Sequence, residues 1–100
     1  MRITYRTRQL EKQYGDHRRA TKAYGEQVAQ RYIQRINILK SAQDFDTVKK
    51  LPGLDCHPLT GNRKGQWAIK LTGFSRLICS LKGDKLDVVC IEEVSKHYDD

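Results

Sequence analysis

A small α+β fold, with an N-terminal strand and helices packed on one face of a mainly antiparallel sheet, follows from three observations. Apolar residues recur every three or four positions before Pro52 and every second position after it. A Gly83-Asp84 pair separates the last two apolar runs, as a hairpin turn does. One hundred residues, 38% of them apolar, suffice for one modest core, so the chain reads as a single domain over residues 1–100.

The elements follow in order. Ile3 and Tyr5 alternate with polar residues between Met1 and Arg6, which predicts a short strand. From Thr7 a polar segment with Leu10 and Tyr14 predicts a short helix ending near Gly15. Asp16 is placed to cap the next helix, whose Ala20, Ala23 and Tyr24 keep helical spacing up to Gly25, a residue that marks a bend. Val28, Ala29, Tyr32, Ile33, Ile36 and Leu39 then define the strongest helix, with Arg31, Arg35 and Lys40 expected on a solvated basic back. Asp44 caps a short helix holding Phe45, Val48 and Leu51, and Pro52-Gly53 stops it.

Beyond Pro52, Trp67, Ile69 and Leu71 define one strand and Leu77, Cys79 and Leu81 the next. A two-residue turn at Gly83-Asp84 leads into a return strand from Lys85 to about Glu93, pairing Leu77 with Cys90, Cys79 with Val88 and Leu81 with Leu86. That register sets Cys79 and Cys90 in the core and leaves Lys70, Arg76, Ser80 and Lys82 on a largely cationic opposite face.

Charge narrows the function. Residues 1–50 hold 12 basic and 5 acidic residues, so the whole net charge of +7 sits in the first half. Within the second half, residues 55–85 carry a net +4 and residues 86–100 a net −4. A basic domain points to a polyanion, nucleic acid or an acidic protein, although Lys and Arg also simply solvate helices. Multidomain enzymes and large cofactor folds are excluded by length. No apolar run reaches the roughly 20 residues of a membrane span and the start has no signal-peptide pattern, so no membrane association and a cytoplasmic location are expected. Cys56, Cys79 and Cys90 form an odd set without C-x-x-C spacing, which predicts reduced thiols and no metal site.

The most informative stretch runs from Cys56 to Trp67, where two glycines flank Asn62-Arg63-Lys64. A flexible, doubly cationic loop entering a strand can bring Arg and Lys to a phosphate, and it can equally be a solvated turn. It matches no nucleotide-cofactor fingerprint, and no cofactor is expected.

The order of a strand, helices, His57-Pro58-Leu59-x-Gly61-x-x-Lys64-Gly65-x-Trp67, Arg76-Leu77-Ile78, a Gly-Asp hairpin and a last strand ending near His97 resembles the HigB-type toxins of the RelE/ParE superfamily, over roughly Met1 to Tyr98. The resemblance implies a toxin held inactive by a cognate helix-turn-helix, HigA-like antitoxin, which enters the ribosome and cleaves mRNA there without a metal. It implies catalytic roles for His57, Arg76 and His97, with Arg76 on the scissile phosphate and His97 in proton transfer. Arg63, Lys64, Lys70, Lys96 and Tyr98 are the expected RNA contacts. Thr60 stands where many relatives carry Lys, and Ser95-Lys96-His97, followed by Tyr98, stands where relatives often end in Asp-Tyr-His.

These residue types suit the reaction. Attack by a 2′-hydroxyl needs a base for its proton, an acid for the leaving 5′-oxygen and cations for the charge gathering on phosphorus. His serves either proton role near neutrality and a strand-held Arg serves the electrostatic one. Acidic neighbours favour a protonated His97, hence an acid. Two other readings stand beside this one: a gyrase-poisoning toxin of the same superfamily, and a non-catalytic RNA-binding or interaction module.

Overall fold

The computed structural model describes residues 1–96, beginning with strand β1 (Arg2–Tyr5). Helix α1 (Arg8–Gly15) starts where Thr7 Oγ1 accepts the Leu10 N–H at 3.1 Å, and α2 (His17–Tyr24) where Asp16 Oδ1 accepts the Arg18 N–H at 3.0 Å. Gly25, at φ +85°, ends α2 through its N–H to Thr21 O and opens α3 (Glu26–Ser41) by accepting the Ala29 N–H. The expected bend is thus a complete break between two helices, made at a φ that glycine adopts without strain. Asp44 caps α4 (Phe45–Lys49) by accepting both Thr47 N–H and Thr47 Oγ1–H, and those bonds hold its carboxyl below the usual range.

Strands β2 (His57–Pro58), β3 (Gln66–Lys70), β4 (Ser75–Lys82) and β5 (Val88–Lys96) complete a sheet in the order β1-β5-β4-β3-β2. A single 3-10 turn, Gly61–Arg63, lies between β2 and β3. All neighbours are antiparallel except β1 and β5, which run parallel. The expected α+β fold is therefore the observed one. Tyr32, Ile36 and Leu39 of α3, Leu10 of α1 and Phe45 and Val48 of α4 pack on one sheet face, against Ile69, Leu77, Cys79, Val89 and Ile91. The Tyr32 hydroxyl, fully buried, donates to Leu10 O at 2.7 Å and so ties α3 to α1. Among the described residues no helix is long and apolar enough to cross a membrane.

Four expectations change. The β4–β5 turn spans residues 83–87, and the register moves by three: Leu81 faces Val89, Ser80 faces Cys90 and Cys79 faces Ile91. An odd shift exchanges the faces of the return strand, so Cys90 leaves the core and lies half-buried on the opposite side, while Val89 and Ile91 enter it. Both registers oppose apolar with apolar, but the observed one places three β-branched side chains, Val89, Ile91 and Val94, on the helix-covered face. Arg35 is buried at 8% exposure instead of lying on a solvated back, because it shares a helix face with Tyr32 and Leu39; its Nε donates to Lys70 O at 3.0 Å. Leu51 lies past the end of α4 and is exposed.

Burial pushes the Cys56 thiol up to about 11 and, with the Tyr14 phenol and Glu11 nearby, the Tyr5 phenol up to about 12. Burial also raises Cys79, Tyr32, Cys90 and Tyr24. Each stays neutral in the fold at a pH where the unfolded chain ionises, so the folded state binds more protons there. Stability is expected to hold up to about pH 9 and to fall above it. Urea midpoints measured from about pH 7 to about pH 11 check this, and a midpoint level across that range contradicts it.

Candidate functional site

The sheet face turned away from the helices carries the candidate site. Residues directly opposite in neighbouring strands share a face. The register therefore sets His57, Ala68, Ile78 and Glu93 in one row across four strands, and Lys70, Arg76 and Ser95 in the next row along. His57 and Arg76 lie two strands and two residues apart, about 12 Å between their Cα atoms by standard sheet spacings.

Arg76 sits on the central strand and is buried at 7% exposure. Its Nη1 donates to Thr72 O at 2.7 Å and Ser75 O at 3.1 Å, which locks the guanidinium to the loop between β3 and β4. His57 lies on the short edge strand, half-buried, with Nδ1 2.9 Å from Asp55 O. A carbonyl only accepts, so Nδ1 is the donor in that bond. Lys70 is exposed beside Arg76, and Lys64 is exposed at the end of the 3-10 turn.

The face is less cationic than expected. A bulge between Ile78 and Cys79 leaves Glu92 as the extra residue on β5. Both Glu92 and Glu93 consequently lie on this face: Glu92 Oε2 accepts the Ser80 hydroxyl at 2.6 Å, and Glu93 is ion-paired with Arg63. That ion pair bridges the row holding Ala68 and Ile78, both fully buried although they face away from the helices. Arg6 Nε donates to Glu92 O at 2.8 Å, fixing β1 at the bulge. Sequence reading placed Ser80 on this face but missed Glu92, Glu93 and Arg6 as parts of the site. The signal is a change in apolar spacing, from two residues between Val89 and Ile91 to three between Ile91 and Val94.

Of the expected site residues, the sheet brings His57, Arg63, Lys70 and Arg76 to this face. Lys96 points the other way: it pairs with Ser75, its Nζ donates to Ala23 O at 3.1 Å, and its charge lies over the Tyr24 ring. It belongs to the helix-covered side and drops out of the face that Arg76 occupies. His97 and Tyr98 lie outside the described residues. Among the described residues no group of three or more His, Cys, Asp or Glu side chains could hold a metal ion.

If this face contacts RNA, Glu93 opposes it. Glu93→Gln removes one negative charge and releases Arg63 for a phosphate. Affinity for single-stranded RNA is expected to rise several-fold at low salt, with the salt slope steeper by about 0.7, as measured by fluorescence anisotropy across a salt series. Unchanged affinity and slope would separate Arg63 from RNA binding.

No protein-family model and no curated protein matches this sequence. Solved structures do match it along nearly the whole chain. A YoeB/ParE toxin from Agrobacterium tumefaciens is 18% identical with a TM-score of 0.59, covering 98% of this chain and 100% of that one. The match from the E. coli DinJ–YafQ complex is 21% identical with a TM-score of 0.62, covering 97% and 94%. The match from the Staphylococcus aureus YoeB–YefM complex is 17% identical with a TM-score of 0.61, covering 98% of both chains. At these identities the likeness is one of fold: the chain has the fold shared by these YoeB/ParE and YafQ structures.

Proposed function

We propose that this chain is the toxin of a type II toxin–antitoxin pair and that it cleaves mRNA on the ribosome, in the cytoplasm, without a metal. The observation that carries the reading is Arg76, buried in the central strand and locked in place, on one face with His57 and Lys70. Matches to toxins solved with their antitoxins support the class. The motif order from His57 to Arg76 supports the HigB-type subgroup and a HigA-like antitoxin, for which the cationic first half is the acceptor surface.

In this reading the 2′-oxygen attacks the adjacent phosphorus as the bond to the 5′-oxygen breaks, leaving a 2′,3′-cyclic phosphate and a 5′-hydroxyl. His57 takes the 2′-hydroxyl proton, and His97 returns one to the 5′-oxygen. Arg76 stabilises the charge on the phosphoryl oxygens, where a preorganised donor acts most strongly. Lys70, Lys64 and Arg63 hold the flanking backbone, adding affinity that falls with salt. Induced expression tests the proposal. Growth arrest with cuts in codon register, seen by primer extension, supports it; uncut mRNA with blocked replication moves the chain to the gyrase-poisoning class.

A further inference from the structure

A cavity of about 450 Å³ opens where α3 meets the loop between β3 and β4, within the range of about 300–1,000 Å³ that small-ligand pockets occupy. Arg31, Arg35 and Lys70 line it, and among the described residues none of the three has an ion-pair partner. Arg35 is nearly buried, and its guanidinium is held by the Lys70 carbonyl and by Gln34 Oε1 at 2.9 Å, both uncharged. Burial and the neighbouring Arg31 lower the pKa of Arg35, the mark of positive charge gathered without a counter-charge. A buried cation without a carboxylate is costly, so an anion is the group that completes this pocket.

The rim supplies a second, independent feature. Phe74 lines the same cavity and is 74% exposed. Its loop is fixed: Leu71 N and Thr72 N both donate to Ser75 O, the Phe74 N–H donates to Thr72 Oγ1, and Arg76 holds Thr72 O. An exposed aromatic on a rigid loop beside cations is the arrangement on which unpaired bases stack. Lys70 belongs both to this pocket and to the row that contains Arg76, so the two sites are continuous.

We infer that this pocket binds one nucleotide of single-stranded RNA beside the cleaved linkage, with its phosphate on Arg31, Arg35 and Lys70 and its base stacked on Phe74. The inference rests on the proposed function in taking RNA as the substrate. An acidic protein segment would match the charge, but an exposed ring held on a fixed loop directly beside the cations favours a nucleotide, whose base stacks while its phosphate pairs.

The test uses the full chain and a fluorescent single-stranded RNA hexamer with 2′-O-methyl groups, which cannot be cleaved, so binding is read apart from catalysis and without ribosomes. Phe74→Ala is expected to weaken binding about tenfold and Phe74→Trp to restore it. Arg31→Ala is expected to lower affinity and to reduce the salt slope by about 0.7. Both positions lie outside the fully buried core, so the variants fold, as circular dichroism would confirm. No binding by the wild-type chain, or wild-type affinity in both Ala variants, overturns the inference. So does a loss of affinity for the cognate antitoxin with RNA binding intact, which assigns the pocket to the protein partner. Loss of RNA affinity in a chain that cuts no mRNA keeps the pocket and removes the endonuclease reading; codon-register cutting that needs Arg76 but not Phe74, with RNA binding unchanged, does the reverse.

Discussion

Arg76→Ala is expected to abolish growth arrest and to lower ribosome-dependent mRNA cleavage about 100- to 1,000-fold, the scale on which a single preorganised donor to a developing negative charge acts. The guanidinium is well placed for that role. It sits on the central strand, nearly buried, and two carbonyls fix its Nη1. The same bonds tie down the Leu71–Phe74 loop, so the variant also loses about 1–3 kcal/mol of stability. Cleavage is therefore to be compared at a temperature where thermal unfolding shows both chains folded. Arg76→Lys separates the two contributions further. It keeps a positive charge but not the planar fork, so cleavage falls between wild type and Arg76→Ala. Full toxicity in Arg76→Ala would remove the catalytic reading and favour a chain that blocks by binding alone.

The fold was legible in the sequence because local signals agree with one another. Thr7, Asp16 and Asp44 cap the helices they precede, and the change of apolar period at Pro52 divides helices from sheet. The hairpin register was not legible, since Leu77, Cys79 and Leu81 meet apolar partners in either alignment and no residue states the length of the turn. Two placements, that of Arg35, expected on the solvated back, and that of Lys96, to which no face was assigned, were readable in principle. Arg35 stands three residues after Tyr32 and four before Leu39, so helical spacing already turns it toward the core. Lys96 is two residues past Val94, and strand alternation turns it to the helix side, away from Arg76. At the site, the roles of His57 and Arg76 came from motif resemblance, while their shared face came from sheet pairing between positions 19 residues apart. Long-range pairing of that kind leaves no local trace. Glu92 and Glu93 counted as part of an acidic tail, and only the bulge turns both onto the candidate site.

The register itself makes the largest stability prediction, and it is one of opposite signs. Leu77 is fully buried on the central strand, within the cluster that includes Ile36 and Ile69. Leu77→Ala removes that contact and leaves a cavity that the closely packed sheet and α3 cannot fill, so about 2–5 kcal/mol is expected to be lost. In a domain of this size each kcal/mol lowers the melting temperature by about 4–8 °C. Leu86 has the same side chain and the contrary fate. The turn exposes it at 55% and holds it at φ +52°, a left-handed conformation that strains a leucine, with its N–H donating to Gly83 O at 3.1 Å. Leu86→Gly relieves about 1–2 kcal/mol of that strain against about 0.5–1 kcal/mol of added backbone entropy in the unfolded chain, so stability is level or rises by up to about 1 kcal/mol. Were Leu86 paired with Leu81 in the core, as a two-residue turn requires, the same substitution would cost as much as Leu77→Ala. Urea unfolding of the two variants decides between the alignments, because only the five-residue turn lets one leucine be lost without cost while the other cannot be.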